Sequence, residues 1–319
     1  MELLGLHHIS IFTENARRNF DFYTKVLGLR LVKKTVNQDD PYTYHLYYGD
    51  EIGSPGSAVT FFEVPNMVKN RPGRNQISAL SLRVPNDAAL DYWDKRLDEF
   101  EVFHSLGEKQ FGRKIIRFKD VDGLTIHLVS DEENERKEAA HPFKDGPVPI
   151  EYAIIGLGPV RISVFKKEKT DAVLTKLLGF KRAGAYEENE KLLTVYHTGE
   201  RGMDTEIHLE SRPDLESQNL GAGGIHHVAF RVKDDAEMLE WVERISDAGY
   251  TNSGFIDRYY FHSLYFRESN GILFELATDG PGFQTDFEVE RGTYVELPPK
   301  FESRRAEIEA HLTPLDTDK

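Results

Sequence analysis

One short motif, a glycine, an apolar residue, two histidines and an apolar strand, is written twice in this chain. Gly5-Leu6-His7-His8-Ile9-Ser10-Ile11 stands at one end, and Gly224-Ile225-His226-His227-Val228-Ala229-Phe230 stands near the other. In the second copy Val228, Phe230 and Val232 alternate with the period of two that marks a strand. Each copy is followed by a helical pattern. Such a recurrence makes a repeat architecture the first expectation.

The intervening residues repeat the same order of elements. Unit one, 1–65, continues with a helix over 15–25, closed by Leu27-Gly28-Leu29 with a glycine suited to a helix C-terminus, and strands at 42–48 and 58–64. Unit two, 76–130, offers a strand at 79–84, a helix over 87–100 and strands at 114–118 and 124–129. A charge-dense and then proline-bearing stretch, 131–150, reads as a linker. Unit three, 151–211, has a strand at 160–164, a helix around 171–178 and strands at 192–197 and 205–209. Its Leu177-Leu178-Gly179-Phe180 echoes Val26-Leu27-Gly28-Leu29. Unit four, 222–279, has a helix over 236–248 and strands at 261–266 and 272–277. Residues 280–319 leave the repeat and read as a packing arm with no chemistry of its own, amphipathic over 302–312. The fold class expected is α+β.

Composition narrows the partners. A net charge of −14 with no segregated basic patch argues against nucleic acid and against an anionic membrane surface. No run approaches the length of a membrane span, and the chain starts directly in a strand, so a cytoplasmic location is expected. There is no cysteine, which fits a reducing compartment and leaves His and carboxylate as the ligands for any metal.

The last strands of the four units read Thr60-Phe61-Phe62-Glu63, Leu124-Thr125-Ile126-His127, Thr205-Glu206-Ile207-His208 and Leu273-Phe274-Glu275-Leu276. Aligned on their apolar residues, they place Glu63, His127, His208 and Glu275 at equivalent positions. The first strands give His8, Ala79, Arg161 and His227 at the other recurrent position. Only units one and four then pair a histidine with a carboxylate, and a second metal site in units two and three is not expected. Neighbours in a strand point to opposite faces, so one histidine of each pair is expected to face a shared cavity and the other to face away. With Glu275, two inward imidazoles would make the facial two-His, one-carboxylate set of a non-haem Fe(II) site, with adjacent positions left open. Glu275 lies in an apolar strand, where an unpartnered carboxylate is costly to bury.

The repeated units and their Leu-Gly-Leu closures resemble the vicinal oxygen chelate superfamily of glyoxalases, bleomycin resistance proteins and extradiol dioxygenases. GLHHISIFT, YHLYYGDEIGSPGSAVTFF, GGIHHVAF and LYFRESNGILFELATDGPGF are most similar to the hydroquinone ring-cleaving dioxygenases, of which dichlorohydroquinone dioxygenase is a type. The resemblance spans nearly the whole chain. It implies four βαβββ units in two curved-sheet bowls, with units one and four pairing around the metal, and Fe(II) held by His8, His227 and Glu275. It implies a small aromatic substrate and O2 as reactants, a possible homo-oligomer, and His7, Ser10, His226, Arg258 and Tyr265 around the site. His262, Tyr265 or His226 would be the general acid or base, and Arg258 would stabilise developing negative charge.

Two rival readings turn on single features. If Glu63 points inward, His8, Glu63, His227 and Glu275 form a four-ligand site suited to a glyoxalase-like isomerase with a non-redox ion. If unit one is registered from Gly56 against Gly271, Thr60 takes that place and Glu63 faces away. The same fold also serves as a metal-free module that binds small aromatic compounds.

Overall fold

The computed structural model describes residues 1–134, 136, 140–283 and 292–317. Glu135, Lys137, Glu138 and Ala139 of the expected linker, and 284–291 and 318–319 of the expected arm, lie outside the described residues.

Unit one consists of β1 (Leu6–Thr13), α1 (Ala16–Asp21), β2 (Arg30–Val36), β3 (Tyr44–Gly49) and β4 (Ala58–Glu63). Unit two is β5 (Gln76–Val84), α2 (Asp87–Glu99), β6 (His104–Gln110), β7 (Arg113–Lys119) and β8 (Thr125–Ser130). After the short β9 (Gly156–Leu157), unit three is β10 (Val160–Val164), α3 (Lys167–Ala172), β11 (Lys181–Glu188), β12 (Lys191–His197) and β13 (Glu206–Ser211). Unit four is β14 (Ile225–Val232), α4 (Asp235–Asp247), β15 (Ile256–Asp257), β16 (Phe261–Arg267) and β17 (Leu273–Pro281), and α5 (Arg305–His311) belongs to the arm.

Each helix carries the chain from the first strand across to the far edge of its unit, and three antiparallel strands then walk back. First and last strands therefore pair in parallel, β1 with β4 and β14 with β17. Units four and one join through the antiparallel pair β1–β14 into one eight-stranded sheet, β15-β16-β17-β14-β1-β4-β3-β2. Units three and two join through β10–β5 into the other. The ends of the chain thus meet in one curved α+β half.

The period of two separates a core face from a cavity face. In the first sheet Ile9, Ile11, Leu46, Tyr48, Val59, Phe61, Val228, Phe230, Leu264, Phe266, Phe274 and Leu276 all enter the apolar core. Their neighbours His8, Ser10, His45, Tyr47, Phe62, His227 and Tyr265 line a cavity instead. Trp93 of α2 and Trp241 of α4 are fully buried on the core side. Each such side chain contributes roughly 2 kcal/mol by leaving water.

Local details depart from the sequence expectation. The helices of units one and three are short α-helices that widen into π-helical turns at Phe22–Val26 and Val173–Leu177, so the third helix starts four residues earlier than expected. Asn15, Asn86 and Asp234 cap α1, α2 and α4, each accepting a backbone N–H with its side chain. Gly28 closes the first π-turn at φ +69, and a Cβ there would sit 2.6 Å from Val148. The second strands β2, β6, β11 and β15 are absent from the sequence reading. In the arm, Ile308, Leu312 and Leu315 are buried, and Glu296 N donates to Lys34 O at 2.8 Å while its carboxylate pairs with the buried Lys33. Among the described residues no helix is long and apolar enough to cross a membrane.

Candidate metal centre

Three side chains converge on the cavity side of the first sheet. His8 comes from β1, His227 from β14 and Glu275 from β17, adjacent strands in the sheet, and their exposures are 2 %, 4 % and 0 %. Glu275 Oε2 lies 3.1 Å from His8 Nε2 and 2.9 Å from His227 Nε2, and the two nitrogens are 3.4 Å apart. Yet Oε2 makes no hydrogen bond. A fully buried carboxylate oxygen without a hydrogen bond, facing two imidazole nitrogens, is a donor set arranged for a cation. Burial alone would raise the pKa of Glu275, but the His8 and His227 imidazoles hold it well below 4.5, and it stays ionised.

The first histidine of each pair reaches its neighbour, against the expectation that it faces away. The pairing of β1 with β14 slips twice: His7 is the extra residue between Leu6↔Phe230 and His8↔Ala229, and His226 the extra residue between Ser10↔His227 and Ile11↔Ile225. A bulge breaks strict alternation and re-aims a side chain. His7 Nδ1 is 2.9 Å from His8 Nδ1, and His226 Nδ1 is 2.9 Å from His227 Nδ1. Burial, and then the neighbouring His8, lowers the pKa of His7 to about 3, so its ring is neutral. Its Nε2–H donates to Thr278 O at 3.1 Å, which leaves Nδ1 bare to accept from His8 Nδ1–H. His8 Nε2 is thereby left with a free lone pair pointing at the cluster. Burial and His227 likewise lower His226 to about 3.

Ser263, which sequence reasoning passed over, donates from Oγ to Glu275 Oε1 at 2.6 Å. It shares the face of Tyr265 on β16, the one signal that could have pointed to it.

Strand register settles the fourth position. Ser10 pairs with Thr60, Ser81 with His127, Ser163 with Glu210 and Ala229 with Glu275, so Thr60, His127, Glu210 and Glu275 are the equivalent residues. Glu63 lies three residues further on, beside Thr13 at the end of β4, and its carboxylate accepts the Ala16 N–H of α1 at 2.8 Å. It is a helix cap with no part in the cluster. Aligning on apolar residues misplaced both Glu63 and His208, because the units enter their last strands from loops of different length. In the second sheet Arg161 takes the place of His227 and lies 3.1 Å from Glu210. A guanidinium fills the position where the first sheet gathers imidazoles. Among the described residues, His8, His227 and Glu275 form the one group of three or more His, Asp or Glu side chains whose ligand atoms come together, all within 4.8 Å.

The cluster opens on a cavity of about 280 Å³ walled by Phe12, Phe62, Phe261, Tyr47 and Leu273. Ser10, His226, Arg258 and Tyr265, named from the sequence, line it together with His45, Asn37, Gln38 and Asp39, which the sequence did not single out. The Tyr265 ring lies 5.7 Å from that of His227 and beneath the Arg258 guanidinium at 5.2 Å. Burial, then Glu275, raises the Tyr265 pKa, so it remains a proton donor. Arg258 forms a two-pronged ion pair with Asp39, both contacts 2.9 Å, tying the β15–β16 turn to the loop between β2 and β3 across the cavity mouth. His262 does not belong to this site. Its neighbours Phe261 and Ser263 occupy the cavity face, so it points the other way, to Asp235 of α4 at 2.6 Å and against Phe255.

The family model described as the Glyoxalase/Bleomycin resistance protein/Dioxygenase superfamily matches residues 5–128 and 156–276. MhqA of Bacillus subtilis (strain 168), provisionally named a ring-cleaving dioxygenase, is 49% identical over 99% of this chain and 100% of its own. The chlorohydroquinone/hydroquinone 1,2-dioxygenase of Sphingobium indicum (strain UT26S) is 31% identical over 95% of this chain and 94% of its own. Among solved structures, a provisionally named dioxygenase from Bacillus subtilis subsp. subtilis str. 168 superposes with a TM-score of 0.90 at 36% identity, covering 100% and 99% of the two chains. Glyoxalase I from Zea mays shares the fold at a TM-score of 0.62 and 16% identity, over 86% and 92%.

Proposed function

Because this chain belongs to the glyoxalase/bleomycin resistance protein/dioxygenase superfamily, we propose that it is an Fe(II)-dependent ring-cleaving dioxygenase acting on a single-ring hydroquinone or related dihydroxylated aromatic. The observation that carries this reading is the three-donor cluster whose fourth position is Thr60, a residue that leaves open the place where an isomerase site would need a second carboxylate. The likeness to a relative named for chlorohydroquinone and hydroquinone supports the substrate class. A cytoplasmic location is part of the reading, resting on the cysteine-free composition.

Bound by His8, His227 and Glu275, Fe(II) would supply the redox chemistry that lets O2 react with a phenol, and a template for both reactants. The protein's own residues do the rest. His7 and His226 orient the two imidazoles through their Nδ1 contacts, and Ser263 holds the carboxylate. Phe12, Phe62, Phe261 and Leu273 hold the ring and exclude water. Tyr265 OH donates a proton to a reacting oxygen, and Arg258 stabilises negative charge that develops near the mouth.

Oxygen uptake by anaerobically purified, Fe(II)-loaded protein tests the proposal. Methylhydroquinone or chlorohydroquinone should consume one O2 per ring opened. Absence of uptake with these and with catechol, together with isomerisation of the methylglyoxal hemithioacetal, would assign the chain to isomerase chemistry instead.

A further inference from the structure

The cavity wall carries a hydrogen-bonded chain that the reactions above leave unused. His45 Nε2 lies 2.9 Å from Thr60 Oγ1, which lies 2.7 Å from Ser10 Oγ. The three residues stand on β3, β4 and β1, neighbouring strands of the sheet, and all are on its cavity face. Thr60 is fully buried and Ser10 is 1% exposed. The His45 ring is gripped between Tyr47 and Phe62, with centroids 4.0 and 4.1 Å away, so its orientation is fixed. Its Nδ1 has no partner among the described residues, and both His45 and Ser10 line the cavity. The chain therefore begins and ends at the substrate space, while its middle is sealed from water.

Such a chain has two states of opposite polarity. In one, His45 Nε2–H donates to Thr60 Oγ1, the Thr60 hydroxyl donates to Ser10 Oγ, and Ser10 offers its own proton to the cavity while Nδ1 is bare. In the other every donor and acceptor is exchanged. Accepting a proton at Nδ1 and releasing one from Ser10 Oγ converts the first state into the second, and His45 is neutral in both. Burial, reinforced by His8 and His227, disfavours the charged imidazole that would interrupt the chain.

We propose that His45, Thr60 and Ser10 form a proton relay that returns to one oxygen of the reacting substrate the proton withdrawn from another, a role that rests on the dioxygenase reading. Ring opening of a hydroquinone by O2 breaks one ring C–C bond and forms a C–O bond at each of its carbons. The ring carbons are oxidised, O2 is reduced, and with the product written as the neutral carboxylic acid the hydrogen count is unchanged; that acid then releases one proton at neutral pH. A proton taken from the hydroxyl facing His45 is therefore needed again on a product oxygen to complete the neutral acid, before that acid ionises. The relay takes it at Nδ1 and delivers one from Ser10 Oγ without admitting solvent.

Thr60→Val breaks the chain at its centre while keeping side-chain volume, and His45→Phe removes its outer end while keeping an aromatic ring in the stack. Each should lower kcat for methylhydroquinone by about a hundredfold with little change in KM, and the double variant should be no slower than the worse single one. Thr60→Ser should restore most of the loss. A curved dependence of kcat on the D2O fraction in the parent should become linear in Thr60→Val. Independently of turnover, 15N spectra of Zn(II)-loaded protein should show the His45 ring nitrogens exchanging tautomer when hydroquinone binds without O2, and no such change in Thr60→Val. A Thr60→Val enzyme with the parent's kcat and isotope effect overturns the relay and leaves the dioxygenase standing. A parent that shows the tautomer response yet consumes no O2 with any hydroquinone keeps the proton path and removes the dioxygenase reading. Neither response overturns both.

Discussion

Ser263 Oγ donates a 2.6 Å hydrogen bond to Glu275 Oε1, so that one carboxylate oxygen is held to β16 while Oε2 alone faces His8 and His227. In the proposed metal site the carboxylate would thereby offer a single oxygen to the ion. Ser263→Ala should weaken Fe(II) or Co(II) binding by about ten- to a hundredfold, the usual effect of losing a group that orients a ligand. Ser263→Thr should recover it, and chelator competition measures both.

His8→Ala and Glu275→Ala should each remove tightly bound metal and reduce O2 uptake to background while the far-ultraviolet circular dichroism is retained. Metal analysis after gel filtration checks the first point and an oxygen electrode the second. Full uptake in either variant would show that the cluster is not the reacting centre.

Thr60 occupies in unit one the register position that Glu275 occupies in unit four. Thr60→Glu should therefore add a fourth protein ligand, tightening metal binding by at least about tenfold while abolishing O2 uptake. Weaker metal binding would mean that the new carboxylate fails to reach the cluster.

His127 in the second sheet is buried, and burial, followed by Arg117 and Arg161, puts its pKa well below 6.5. Below that value the unfolded chain takes up a proton that the folded protein refuses. Stability from this residue is complete above about pH 6.5 and falls on acidification, by up to about 1.4 kcal/mol per pH unit. His127→Gln should flatten the decline in urea midpoint between pH 7 and pH 5.

The strands that were legible in sequence are those with one face in the core and one on the cavity, such as β1 and β14, where Ile9 and Ile11 or Val228 and Phe230 keep strict time. The strands that escaped notice are edges. In β2 the alternation is masked by Lys33 and Lys34, which are buried only because the distant arm supplies Glu296, Thr293 O and Leu315 O as partners. β11 is largely exposed along its length, and no apolar face marks it. Within the site, the repeat singled out the two paired-histidine strands and Glu275, and the family resemblance chose His8 and His227 within those pairs. The bulges that turn His7 and His226 toward them depend on how two strands 219 residues apart are paired, which neither strand records by itself. His45, Thr60 and Ser263 carry common residue types on ordinary strands. Their meaning arises only from which side chains the folded sheet sets beside them.

Joining the first strand of the chain to the last unit also sets a timetable for synthesis. His8 leaves the ribosome 267 residues before Glu275, which follows after the second sheet can already have formed. During that interval β1 lacks β14, its neighbour in the finished sheet, and its histidines have no carboxylate with which to share an ion. Metal capture by the proposed cluster would thus wait until β1, β14 and β17 are assembled, and a chain truncated before Glu275 should be unable to retain the ion.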